Sequence, residues 1–255
     1  MRSLLIARAD EQTLAEALES GADAVIVDLA QAAPAERAGT RAAAAQFLKA
    51  ARGKPGEPAL IVRANALDSG ETDSDLDAVM VGAPDAILLP GSLGAASVQQ
   101  LSAKLAVREA HLGLADGATL IIAVADTAQS LFHMGGYRGS SARLMGVAWS
   151  AEPLRANIGA ETDRDRLGDY LGAYRLAREL TLLAATSARA AAIDTAFPDI
   201  RDLEGLRTEA LAARRDGFAG KIALDAAQAA VINEIFPQRT TPVAESGAQS
   251  GLRLV

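Results

Sequence analysis

Eight short apolar runs, each followed by a stretch of helical periodicity, constrain this chain more than any other feature. They read SLLIARA from Ser3, AVIVDLA from Ala24, ALIVRANA from Ala59 and AILLPG from Ala86, then TLIIAVADT from Thr119, RLMGVAWS from Arg143, AAAIDTA from Ala190 and GKIALD from Gly220. Continuous hydrophobicity over about six residues is the pattern of parallel strands covered on both faces. The intervening segments, such as DEQTLAEALESG and DLEGLRTEALAARRDG, space apolar residues three and four apart and close on a glycine suited to a helix C-cap. Eight such units predict an α/β fold, a closed (β/α)8 or TIM barrel in a single domain. The barrel is expected over residues 1–236. Residues 237–255, rich in polar and turn-forming side chains, are expected as a C-terminal tail or an arm exchanged with a neighbour. An open doubly wound sheet is the alternative, but no glycine-rich turn follows the first strand. The longest helix is predicted over Asp163 to Arg189, with ETDRDR, Glu161 to Arg166, as its solvated start.

Half of the 255 residues are hydrophobic, so a core can form without disulfides or a structural metal. The 25 basic residues are scattered among 32 acidic ones, leaving a net charge of -7 and no positive footprint for nucleic acid. With no cysteine and two histidines, thiolate chemistry is excluded and a multi-histidine metal site is disfavoured. No apolar run approaches the roughly 20 residues that span a bilayer. The N-terminal MRSLLIARADEQ turns charged too early for a signal peptide. The expectation is a soluble, cytoplasmic protein that engages neither membrane nor nucleic acid.

In such a barrel, chemistry sits at the C-terminal mouth of the strands. That position nominates Asp28, Arg63, Asn65, Pro90, Gly91, Asp126, Ser150, Glu152, Asp194 and Asp225. Acids just after strands also serve as helix N-caps, accepting the free amides of the first turn. Arg63 stands out because a guanidinium inside LIVRANAL is costly unless something negative faces it. Its planar fork suits a carboxylate or an enolate oxygen. The competing reading is a buried ion pair with a neighbouring acid such as Asp28. Trp149 reads as a packing residue whose indole N–H needs a partner.

The segment AIDTAFPDIRDLEGLRTEALAARRDGFAGKIAL, Ala192 to Leu224, combines an Ile-Asp stem, an Asp-x-x-Asp-x-x-Gly-Leu turn and a Gly-Phe-x-Gly-Lys lead into the last strand. Together with VIVDLAQA, IVRANALDSGETDSDLDAV, AILLP and QAAVINEIF, it resembles the citrate lyase beta-chain-like proteins of the HpcH/HpaI aldolase superfamily, from Ser3 to about Phe236. The resemblance implies a carbon–carbon lyase: metal-assisted aldol or Claisen-type cleavage of a small organic acid or its coenzyme A thioester. It also implies a homo-oligomer, a trimer or a multiple of it. In that family a Glu after strand five and an Asp after strand six hold a divalent ion, commonly magnesium, and the arginine of strand three stabilises the enolate.

Arg63 and Asn65 match the arginine strand, whereas other family positions depart. The strand-five Glu-Thr-Ala-Arg is Asp126, Thr127, Ala128 and Gln129, a carboxylate shortened by one C–C bond, about 1.5 Å. Gly-Ala-Glu-Asp is Ser150, Ala151, Glu152 and Pro153, so the ligand-bearing acid is a proline. Asp-Leu-Glu-Asp has become Asp28, Leu29, Ala30 and Gln31, the lysine after Pro90 is Gly91, and the histidine after strand eight is Asp225. Arg63 and Asp126 are the expected catalytic residues. Arg63, Asn65, Asp28 and Asp194 are the expected substrate contacts, and Asp126 with Glu152 the expected ligands of a weak or lost Mg2+ site. Glu152 has an alternative place in solvent or as a helix cap. The alternative function is a catalytically inactive paralogue retained as a thioester-binding or assembly subunit.

Overall fold

Apolar β-branched and leucine-rich runs at regular spacing leave the chain few ways to bury both faces of its strands, and a closed ring is the one it adopts. The computed structural model describes residues 1–53 and 56–237. Strands β1 (Ser3–Arg8), β2 (Ala24–Asp28), β3 (Ala59–Arg63), β4 (Ala86–Leu89), β5 (Leu120–Ala125), β6 (Leu144–Trp149), β7 (Ala191–Asp194) and β8 (Gly220–Ala223) pair in sequence order into one closed parallel barrel. Each of the eight apolar runs supplies one strand. The seam closes between the chain's two ends, with Ser3 opposite Lys221, Leu4 opposite Ile222 and Leu5 opposite Ala223.

Among the described residues, helices α1 (Glu11–Glu19), α2 (Arg37–Ala51), α3 (Thr72–Val79), α4 (Ala95–Leu112), α5 (Ala128–His133), α6 (Ala151–Ile158), α7 (Gly172–Ala188), α8 (Leu203–Asp216) and α9 (Ala226–Ile235) surround the ring. Acids and hydroxyls start several of them. Asp10, Thr127, Asp202 and Asp225 each accept a first-turn amide, the capping bonds that satisfy otherwise unpaired donors. Asp225 is therefore a cap, whereas Asp126 is not, because Thr127 performs that task for α5.

Successive strand residues alternate between the barrel interior and the helix layer. Leu4, Ala24, Ile26, Ile61, Ala86, Leu88, Ile122, Val124, Ala148, Ile193 and Ile222 fill the interior. The larger cluster between sheet and helices takes the other set, including Leu5, Val25, Val27, Leu60, Val62, Ile87, Ala123, Val147 and Trp149. This parity decides which strand-end side chains meet over the mouth.

Two expectations require correction. The predicted helix from Asp163 begins only at Gly172. Gly159, in the left-handed region at φ 69°, ends α6 with a C-cap, and residues 163–171 form a tight excursion. In it Arg164 bridges antiparallel to Tyr170, and Gly168 turns the chain at φ 86°. ETDRDR is thus no solvated helix start: Arg164 lies 3.8 Å over the Tyr170 ring and ion-pairs with Glu209 at 2.6 Å. Of the predicted tail or exchanged arm, residues 238–255 lie outside the described residues. No helix among the described residues is long and apolar enough to cross a membrane.

The seam is tight. A Cβ added at Gly220 would stand 2.4 Å from the Arg2 carbonyl oxygen and 2.8 Å from that of Met1. Because both obstacles are backbone, Gly220→Ala should cost about 1–3 kcal/mol of stability. Urea denaturation measures this, and a loss below about 0.5 kcal/mol would show that the seam yields.

Candidate functional site

Interior parity carries Arg8, Asp28, Arg63, Pro90, Asp126, Ser150, Thr195 and Leu224 to the mouth, each two positions beyond an inward core residue. Over the floor made by Ile6, Leu88, Val124 and Ile222 lies a cavity of about 400 Å³. Arg63, Asp126, Ser150, Glu152, Arg155, Asp163 and Thr195 line it, with Ala196 and Pro198 on its β7 side. An apolar floor under a few converging polar groups is the usual form of a small-molecule site.

Arg63 is mostly buried and sits opposite Asp28 in the β2–β3 register. One guanidinium nitrogen donates to Asp28 Oδ2 at 3.1 Å. Asp28 is itself fixed, its Oδ1 accepting the Ala30 amide at 2.9 Å. The ion pair with Asp28 is therefore present. Asp28 compensates the charge and orients the fork, and the guanidinium still faces the cavity. Asp28 does not line that cavity; it borders a separate groove with Arg8, Asp10, Gln31 and Glu36.

Asp126 is 4% exposed. Its Oδ1 accepts the Gly91 amide at 2.8 Å. Gly91 has φ 62°, a conformation that glycine enters without strain. Burial pushes the Asp126 carboxyl above the usual carboxylate range, against the Gly91 hydrogen bond and the nearby Arg63 charge, which both pull it down. Glu152 is exposed, in the first turn of α6, and reaches the same cavity. Pro153 occupies the next position of that turn, where its missing amide leaves no helical bond unmade.

Besides Asp28, two more of the expected substrate contacts lie outside that cavity. Asn65 turns toward α3, where its backbone amide and its Nδ2 both donate to Asp75 Oδ2, at 2.7 and 2.8 Å. Asp194 follows the inward Ile193 and so faces the helix layer, fully buried. It accepts the Trp149 indole N–H at 2.8 Å and the Lys221 ammonium at 3.0 Å. Lys221 also donates to Glu209 at 2.6 Å and to the Thr195 carbonyl at 2.7 Å. This is a structural network that ties β6, β7 and β8 to α8, and it supplies the partner Trp149 needed.

The residue that strand-end reasoning missed is Arg155. It belongs to no strand, and reaches the cavity from the second turn of α6. The available signal was the spacing: α6 starts directly at a strand end, so its first turns rim the mouth. Asp163 was overlooked because its segment reads as helix, whereas the excursion before α7 brings it to the cavity.

The sequence model of the HpcH/HpaI aldolase/citrate lyase family matches residues 2–226. The citrate lyase subunit beta of Leuconostoc mesenteroides subsp. cremoris is 30% identical over 217 residues, 85% of this chain and 70% of that one. A (3S)-malyl-CoA thioesterase of Cereibacter sphaeroides is 30% identical over 234 residues, 91% of this chain and 75% of its own. Among solved structures, the Mycobacterium tuberculosis citrate lyase beta subunit complexed with oxaloacetate and magnesium superposes with a TM-score of 0.76 at 28% identity, covering 92% of this chain and 96% of that one. CitE from the same organism, in complex with magnesium, acetoacetate and coenzyme A, gives 0.77 at 27% identity, over 94% of this chain and 82% of that one. The barrel, its mouth and these likenesses agree: the chain belongs to the HpcH/HpaI aldolase/citrate lyase family.

Proposed function

We propose that the chain is a carbon–carbon lyase whose substrate is a small organic acid, or a thioester of one, bound at the barrel mouth. One observation carries this reading: Arg63 and Asp126 enter a single cavity, the first an oriented guanidinium and the second a buried carboxyl that holds its proton unusually well. Aldol-type cleavage needs those two functions. Asp126, through the oxygen not held by Gly91, takes the proton of the substrate hydroxyl. The bond between the hydroxyl-bearing carbon and its neighbour then breaks, and its electron pair becomes an enolate. Arg63 stabilises the negative oxygen, and Asp126 returns the proton to the enolate carbon. The family's names, a citrate lyase subunit and a malyl-CoA thioesterase, support an acid or acyl thioester as substrate.

Magnesium is present in the two solved relatives described above, and the side chains at this mouth differ from the set that ion needs. Among the described residues no three acidic or histidine side chains gather in a metal-binding group. Asp126 spends one oxygen on Gly91, which leaves a single oxygen free, and burial raises the cost of its ionised form. Glu152 is exposed, the Pro153 side chain offers no ligand atom, Asp163 does not gather with Asp126 and Glu152 into a metal-binding group, and two guanidinium groups line the same cavity. Magnesium takes near-ideal octahedral oxygen coordination from ionised carboxylates and waters. These residues do not fit a resident magnesium ion.

Pro153 and Gly91 favour the second reading, a non-catalytic subunit that binds an acid or thioester. Turnover separates the two. Hydroxy acids, 2-oxo acids and their thioesters incubated with the protein should release a carbonyl product by NMR, and Arg63→Met should lower kcat/KM by roughly 10²–10³. No turnover of any of them, or turnover indifferent to Arg63→Met, would rule out the lyase.

Asp126 gives a second check through stability. Its folded pKa is raised, so the folded state is penalised at pH above that pKa, and the penalty vanishes once both states are protonated. Asp126→Asn keeps an oxygen for the Gly91 amide and should melt higher than wild type at pH 7. The gain should shrink as pH falls through the folded pKa, while turnover is lost. A variant less stable at pH 7 would contradict the buried, proton-retaining carboxyl.

A further inference from the structure

Arg155 lines the mouth cavity, is half-buried, and forms no hydrogen bond or ion pair through its side chain among the described residues. Most of the half-buried arginines here are paired: Arg2 with Asp23, Arg41 with Asp75, Arg52 with Asp85 and Arg164 with Glu209. A guanidinium partly withdrawn from water and left without an anion is electrostatically incomplete. It stands in the same cavity as Arg63, whose fork is only partly used by Asp28. Among the described residues the cavity holds no metal-binding group, and its lining sets two guanidinium groups, Arg63 and Arg155, among the carboxyls of Asp126, Glu152 and Asp163.

The geometry points to a pair of guanidinium groups, Arg63 on β3 and Arg155 on α6, that hold the two carboxylates of one free dicarboxylic acid across the mouth without a divalent ion. The inference rests on the reading of the mouth as an acid-binding site and sharpens it. Arg63 takes the carboxylate nearest the reacting carbon, and Arg155 takes the far one. A thioester at that far end would offer an uncharged carbonyl and leave Arg155 unpaired, so the free diacid is preferred. Arginine suits the task because its planar donors match a carboxylate two at a time and its charge does not titrate.

Calorimetry on the full-length protein in EDTA tests this, with malonate, succinate and glutarate compared with acetate and propionate. The preferred diacid should bind roughly ten- to hundredfold tighter than the monoacids, the size of one added hydrogen bond between charged groups. Arg155→Gln should erase that gap and leave monoacid binding unchanged, Arg155→Lys should keep most of it, and Arg63→Gln should weaken both classes. Because the Arg155 side chain makes no hydrogen bond or ion pair among the described residues, and its electrostatic contact there is with Tyr174, its variants should melt close to wild type. Equal binding of diacid and monoacid, a gap that survives Arg155→Gln, or a gap that appears only with added Mg2+ would overturn the inference. Monoacid binding that depends on Arg63 without any gap would remove Arg155 alone. No binding of either class would take the acid-binding reading down with it.

Discussion

The closed ring of parallel strands and its strict alternation of side chains govern everything placed at the mouth. In a ring, residues two apart on a strand share one face, and eight inward faces converge on one axis. Ile61 inside the barrel therefore commits Arg63 to the mouth, as Val124 commits Asp126. The β1–β8 seam holds the ring shut from the first residues of the chain to the last strand.

Outside the ring, buried charge fastens the helices rather than doing chemistry. Lys221, Asp194 and Glu209 form one cluster, and Arg143 with Glu109 another, the latter pair at 2.6 Å with both side chains nearly inaccessible. Burial works against the Glu109 charge, yet Arg143 and the amides of Thr119 and Gly117 hold its carboxyl below the usual range. Removing one partner of such a pair strands the other in a poorly polarisable interior, at a cost of about 3–5 kcal/mol. The clusters tie the strands to the outer layer, while α6 and the excursion before α7 bring Arg155 and Asp163 to the cavity rim.

The strands were legible because parallel strands covered on both faces demand apolar runs, and the missing glycine-rich turn after the first strand favoured the ring over an open sheet. Arg63 was legible for the same reason, as a charge amid hydrophobes. Asp194 misled because position near a strand end ignores parity, and Asn65 misled although it shares the parity of Arg63, because past the strand end Asp75 on α3 takes its amide and side chain. Asp194 follows the inward Ile193, so it must face the helices, and Lys221 waits there. Residues 163–171 misled because their charges and leucines imitate a helix, while Tyr170 and Arg164 form a local stack that pattern cannot show. Arg155 was reachable through the spacing of α6 from its strand, but the absence of an ion pair on its side chain among the described residues is visible only in the folded arrangement.

The central claim is that the mouth is an anion site built on oriented guanidinium groups. A crystal structure of the protein grown in EDTA and soaked in malonate tests it most directly. One carboxylate should lie about 2.7–2.9 Å from the Arg63 guanidinium nitrogens and the other at the same range from Arg155. Malonate absent from the mouth, or bound there without touching Arg63, would contradict the account.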